Sequence, residues 1–158
     1  MTNPEPLFRQ YLDTPIGTLE IAADDTSVRS IYFVQKRQDS PLGNDITQLA
    51  LDQLAAYFNG QRQQFSLPLG ALGTAFQQQV WLQLSDIPYG STCSYADIAR
   101  QLNNPKAVRA VGAANGKNPI SIVVPCHRVI GANGKLTGYA GGLDRKSWLL
   151  RHEQQGQL

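Results

Sequence analysis

Apolar and polar residues alternate at Leu19, Ile21 and Ala23, break at Asp24-Asp25-Thr26-Ser27, and alternate again at Ile31 and Phe33. Period two on both sides of a polar turn predicts a β-hairpin. The period then changes. Over 45–58, Ile46, Leu49, Leu54, Tyr57 and Phe58 recur near helical spacing, and Asn59-Gly60 supplies a stop signal. Phe65, Leu67 and Leu69 return to alternation. Residues 7–69 thus read as a small α+β unit, and no residue type in it points to chemistry.

Pro68-Leu69-Gly70-Ala71-Leu72-Gly73 reads as a linker. Thr74 with Gln77 makes a capping-box pattern, and Phe76, Val80 and Leu84 fall on one face of the helix it opens. Ile87-Pro88-Tyr89-Gly90 ends that helix. Ser94 with Asp97 opens another, over 95–102. Asn104 suits an N-cap and Pro105 the first helical position of a further helix to about Asn115. Two short helices across a tight turn predict a helix-turn-helix. The second helix puts Val108, Val111 and Asn115 on one side, and Arg109, Gly112, Ala113 and Gly116 on another. A major-groove reader needs several long polar side chains. A face of Gly and Ala lets backbone approach a narrow minor groove instead, with phosphate contacts from Lys106 and Arg109 as the one long probe. The same small residues would also suit close helix packing.

The seam near residue 70 suggests two parts, 1–70 and 74–158. Overall charge is only +2, but residues 74–158 carry 9 Lys/Arg against 4 Asp/Glu, and residues 1–73 carry 5 against 8. The basic half suits a polyanion. No apolar run nears the ~18 residues of a membrane span. Met-Thr-Asn-Pro-Glu-Pro at the start has no signal-peptide pattern. Two cysteines in 158 residues are no disulfide framework. A soluble, cytoplasmic protein with reduced thiols is expected.

The chemistry concentrates in Val-Val-Pro-Cys-His-Arg-Val-Ile, 123–130, where Cys126 adjoins His127. A thiol is only a few per cent thiolate at pH 7, and burial lowers that further, so a base is needed. If the segment is a strand, neighbouring side chains point to opposite faces and a bridging water would carry the proton. The closing helix, capped by Asp144, turns Trp148 and Leu149 inward. It places Glu153 four residues beyond Leu149, as a candidate carboxylate for His127. Cys93 reads as a half-buried side chain and His152 as exterior. On these residues alone Cys126 fits an inert buried thiol in a non-catalytic helix-turn-helix module or an activated sulfur nucleophile such as that of a cysteine hydrolase.

Pro-Cys-His-Arg-Val, with Arg-Ala-Val-Gly and Asn-Pro upstream, resembles the O6-alkylguanine-DNA alkyltransferases. Matching stretches at 76–81, 87–99, 104–114, 118–130 and 139–153 cover nearly all of 74–153. The resemblance implies an α+β protein. A ribonuclease-H-like N-terminal domain precedes a mainly helical, winged-helix-like C-terminal domain with the helix-turn-helix.

It implies direct-reversal DNA repair. O6-alkylguanine, and O4-alkylthymine, would be flipped from duplex DNA bound through its minor groove, and the alkyl group moved irreversibly to Cys126. The enzyme would work once, as a monomer, without cofactor or metal; zinc-bearing relatives have N-terminal Cys and His, whereas residues 1–92 here have neither. Cys126 would be the acceptor, and His127 (through water) with Glu153 the relay. Asn118 would be the hinge, and Tyr95 the residue that helps rotate the nucleotide and protonates guanine N3. Arg109 would fill the vacated stack, with Lys106, Ala110, Gly112, Ala113 and Arg128 also on DNA. Tyr139, Ala140, Gly141, Val129, Ser121 and Tyr95 would line the pocket, Ala140 through its N–H. Two positions depart from several relatives: Ser121 replaces proline and Ala140 replaces serine. Alkyltransferase-like proteins carry tryptophan at the acceptor position, where this chain has Cys126.

Overall fold

The computed structural model describes residues 7–38 and 42–155; the stretch 1–6, on which the signal-peptide expectation falls, lies outside the described residues. The chain divides into two compact units, Met1–Leu72 and Gly73–Leu158.

The first unit is an antiparallel sheet in the order β1 (Phe8–Thr14), β2 (Gly17–Ala23), β3 (Val28–Val34), with helix α1 (Asp45–Phe58). The alternation places Leu19 opposite both Leu12 and Phe33, and Ile21 opposite Ile31. Leu19, Ile21, Ala23 and Ile31 are wholly buried. The turn between β2 and β3 is built by Asp24, whose carboxylate accepts from the Thr26 and Ser27 amides and pairs with Arg29 at 2.6 Å. Helix α1 opens on an Asn44–Thr47 capping box. Its buried stripe is Thr47, Ala50, Leu54 and Tyr57, whereas Leu49 is exposed.

The alternation at 65–69 does not become a strand. The Gln53 side chain takes both backbone bonds of Ser66, as donor to its carbonyl and acceptor from its amide. Only a single parallel bridge, Val28 to Leu69, joins this stretch to the sheet. Pro68, which lacks an amide hydrogen, sits in the middle of it.

The second unit holds helix α2 (Ala75–Ser85), strand β4 (Cys93–Ser94), helices α3 (Tyr95–Gln101) and α4 (Val108–Gly116), strand β5 (Val129–Ile130) and helix α5 (Leu143–Gln155). The capping boxes Thr74–Gln77 and Ser94–Asp97 are both formed. Trp81 Nε1 donates to the Ala114 carbonyl at 2.9 Å, which pins α4 to α2. Strands β4 and β5 pair in parallel, Cys93 with Val129 and Ser94 with Ile130. The segment before α3 is thereby tied to the segment after the thiol.

Helix α4 starts at Val108, later than the expected Pro105. Asn103 takes a left-handed conformation (φ 58°). The Ala107 amide then bonds back to the Asn104 carbonyl at 3.0 Å. Pro105 and Lys106 form the middle of a β-turn, where proline's fixed φ is equally at home. Ala107 caps the helix without a side-chain bond. Helix α5 begins at Leu143, so Asp144 lies in its first turn and is not its cap. Trp148 is only half buried, and its ring stacks on His152 at 4.8 Å.

Candidate alkyl-acceptor site

Residues 126–128 form a single 3-10 turn, not a strand. Three residues per turn spread Cys126, His127 and Arg128 about 120° apart. The Arg128 amide closes the turn onto the Pro125 carbonyl at 3.0 Å. The approach is braced by Asn118, whose Oδ1 accepts from the Ile120 amide at 3.0 Å and whose Nδ2 donates to the Val124 carbonyl at 2.8 Å. Between those points Ile122 sits at φ 72°, a conformation that β-branched residues avoid. Asn118 thus holds a strained loop in the shape that delivers Cys126.

His127 and Glu153 are wholly buried, and His127 Nε2 lies 2.7 Å from Glu153 Oε2. An ionised carboxylate only accepts, so Nε2 carries the hydrogen and Nδ1 offers the lone pair. That nitrogen is buried without a partner among the described residues. Burial pushes the Glu153 carboxyl up, but the bonds and charges of His127 and Arg128 outweigh it and hold it well below the usual range. Burial holds the imidazole below its ordinary 6.5 despite Glu153.

Arg128 is not on the surface, where a DNA contact would need it. It is 6 % exposed, its Nε bonds Glu153 Oε1 at 2.8 Å, and its Nη1 bonds the Ile87 carbonyl at 2.7 Å. Its side chain orients Glu153, and Glu153 orients His127.

Lys146 was missed by sequence reasoning. It is wholly buried, and its Nζ donates to the Val129 carbonyl at 2.6 Å and the Thr137 carbonyl at 2.7 Å. A signal was present: Lys146, Leu149 and Glu153, at spacings of three and four, share one helical face. Burial raises the Cys126 thiol pKa, while the Asn118 side chain and the Lys146 charge pull it back. The other cysteine has no such help. Burial, reinforced by Asp97, pushes Cys93 up to about 11.

Around the thiol, Ser121 is buried and the Tyr139 hydroxyl is enclosed. Ser121 and Cys126 both act on that hydroxyl, whose pKa is raised by burial first. Val129 is buried, with its carbonyl held by Lys146. Ala140 is exposed, in a turn closed from the Gly142 amide to the Tyr139 carbonyl at 2.9 Å. The Gly141 carbonyl accepts from Arg145 at 3.0 Å.

On α4, Arg109, Ala110, Ala113 and Gly116 are exposed, as is Lys106 in the turn before it. A methyl group added at Gly116 would meet nothing within 4 Å. The outer small residues therefore do not serve helix packing. Gly112 differs: an added methyl would touch the Tyr95 ring at 3.8 Å. Tyr95 is the first residue of α3, and its hydroxyl lies 2.9 Å from Thr137 Oγ1.

Acid should weaken this fold. His127 and Glu153 are held below their ordinary values of 6.5 and 4.5, and unfolding restores both. As pH falls through about 6.5, the unfolded chain takes a proton that folded His127 refuses; below about 4.5, Glu153 does the same. Both contributions are present above those values and lost in acid. Urea midpoints should drop between about pH 7.5 and pH 5; a flat or rising trend would contradict the buried pair.

A buried thiol beside a carboxylate-oriented imidazole, in a helix-turn-helix unit with an exposed small-residue face, is an arrangement that suits a DNA-binding protein with a cysteine at its site. Family models sharpen this class. Residues 75–155 match the 6-O-methylguanine DNA methyltransferase DNA-binding domain, and residues 7–71 match the ribonuclease-like domain of the same family. The chain belongs to the 6-O-methylguanine DNA methyltransferase family. It is 46% identical to the methylated-DNA–protein-cysteine methyltransferase of Methanosarcina acetivorans, over 93% of this chain and 98% of that one. With the enzyme of that name from Mycolicibacterium paratuberculosis it shares 49%, over 91% and 90%. The crystal structure of Mycobacterium tuberculosis O6-methylguanine methyltransferase superposes with a TM-score of 0.87 at 44% identity, covering 95% and 94%. A complex of the Mycobacterium tuberculosis protein with DNA gives 0.86 at 46% identity, covering 94% of each chain.

Proposed function

We propose that this protein repairs O6-alkylguanine in duplex DNA by moving the alkyl group to Cys126, once per molecule. The observation that carries the reading is the buried His127–Glu153 pair, 2.7 Å apart, which joins helix α5 to the turn that bears both His127 and the buried Cys126. The Cys126 proton passes through a water to His127 Nδ1, and Lys146 and Asn118 favour the thiolate left behind. The sulfur attacks the alkyl carbon. The bond from that carbon to O6 breaks, its electron pair goes to the guanine, and N3 takes a proton from the Tyr95 hydroxyl. The product is an S-alkyl thioether and guanine, restored once solvent exchanges the N3 proton for one on N1, returns a proton to Tyr95 and takes the one left on His127. No water or thiol of the protein readily cleaves a thioether, so the protein is spent.

Base access follows from the outer face of α4. Arg109 is the long side chain on a face of Ala and Gly, which suits close approach to the minor groove. The O6 edge of a stacked guanine lies in the major groove, so the base must be flipped into the pocket of Tyr139, Ser121 and Val129. Flipping costs a few kcal/mol, less for a poorly paired alkylated base. Arg109 in the gap offsets part of that. The protein acts as a monomer in the cytoplasm, on O4-alkylthymine as well as O6-alkylguanine, and without a cofactor.

The reading is tested with excess duplex containing O6-methylguanine. Guanine should be restored to one equivalent per chain and then stop; continued turnover would defeat it. Arg109→Ala should slow that duplex reaction far more than reaction with the free modified base. Equal slowing would remove Arg109 from the flipping step.

A further inference from the structure

The segment between β5 and α5, 131–142, has no regular structure but is fixed at Thr137 from two sides. Its carbonyl accepts from the buried Lys146 Nζ at 2.7 Å, and the same ammonium grips the Val129 carbonyl at 2.6 Å. Thr137 is therefore anchored to the strand that follows the acceptor turn. Its side chain points the other way, and its hydroxyl lies 2.9 Å from the Tyr95 hydroxyl. The Tyr95 ring also lies within 4 Å of the space that a methyl group on Gly112 would fill. The phenol thus lies between α4 and the 131–142 segment.

We infer that Thr137 is a positioning residue for Tyr95, holding its phenol oxygen in place and directing its proton toward the flipped base. The inference rests on the repair reading and on Tyr95 as the proton donor within it. A phenol oxygen can donate one hydrogen bond and accept others. Once the Tyr95 proton is committed to guanine N3, Thr137 can only donate to that oxygen. The threonine proton then opposes the negative charge that grows on the phenol oxygen as its own proton leaves. No atom is gained or lost at Thr137. The phenol proton goes to N3, and the phenol is later reprotonated from solvent. The contact is exposed, and Thr137 itself is solvent-accessible. A hydrogen bond in such a place adds little to folding, so removing it should show in the rate and not in the melting temperature.

The experiment is a double-mutant cycle read as single-turnover transfer from an O6-methylguanine duplex, with melting temperatures measured alongside. Thr137→Val keeps the shape and removes the hydroxyl, and should slow transfer on the order of fivefold, the worth of one hydrogen bond. Thr137→Ser should restore most of the rate. In a Tyr95→Phe background Thr137→Val should cost nothing more, because the oxygen it serves is gone. An unchanged rate for Thr137→Val, failure of Thr137→Ser to recover it, or the same slowing with Tyr95→Phe would overturn the inference. If Thr137→Val does not fold, Thr137→Ala enters the same cycle with the same expectations. The two levels separate cleanly. Absence of transfer by the unmodified protein would sink the repair reading, whereas transfer with additive losses would sink only the role of Thr137.

Discussion

Replacing Cys126 by alanine should abolish alkyl transfer while leaving lesion-DNA binding largely intact. On the proposed reading the two functions fall to different parts of the second unit. The proposed acceptor sits on the buried turn at Cys126–Arg128, and the exposed small-residue face sits on α4. Removing one buried sulfur costs on the order of 1 kcal/mol, so the variant should fold. Cys126→Ser should be nearly as inactive. The relay offers one weak base, and a serine hydroxyl is far harder to deprotonate than a thiol. Cys93 cannot substitute, because burial and Asp97 keep its thiol protonated, up to about 11. Transfer would be followed with methyl-labelled duplex and binding by fluorescence anisotropy. Residual transfer in Cys126→Ala would move the acceptor elsewhere; lost binding with intact folding would join the two functions.

Glu153→Gln should damage both stability and chemistry. The carboxylate serves two partners at once, His127 at 2.7 Å and Arg128 at 2.8 Å. An amide of the same shape leaves the Arg128 guanidinium, only 6 % exposed, without an opposing charge. Breaking a buried pair by removing one partner costs roughly 3–5 kcal/mol. The amide also accepts from, or donates to, Nε2 with no preference for the tautomer that frees Nδ1. Losing a positioned base lowers rate by about 10²–10⁴-fold. Urea unfolding gives the first number, and single-turnover transfer per folded molecule gives the second. A variant as stable as the unmodified protein would show that Arg128 finds its compensation elsewhere. A variant of unchanged rate would remove Glu153 from the relay.

Much of the site was legible because its parts lie on periodic elements. Glu153 follows Leu149 by four residues, and that spacing was enough to aim it at His127. Ser94 and Asp97 announced the start of α3, and the small residues of α4 announced an unusual outer face. What was not legible depended on partners distant in sequence. Nothing at 65–69 reveals that Gln53 claims the Ser66 backbone, so the alternation there does not by itself tell a strand from a loop. Asn104-Pro105 fits a helix start and a β-turn equally, and the left-handed Asn103 decides between them. Arg128 looked like another cation for DNA because the depth of the 3-10 turn is not encoded by any local pattern. Lys146 hid for the converse reason: lysine is rarely buried, and its two carbonyl partners belong to β5 and an aperiodic loop. Thr137, in that loop, offered no periodic signal at all.

The account stands or falls on one bond, from the Cys126 sulfur to the transferred carbon. It is tested by intact-mass measurement after incubation with excess O6-methylguanine duplex, with peptide mapping of the product. The account predicts a gain of one methyl group per chain, carried on Cys126, and no further gain with longer incubation. Active, folded protein that restores guanine without gaining mass, or that carries the methyl group on another residue, would contradict it.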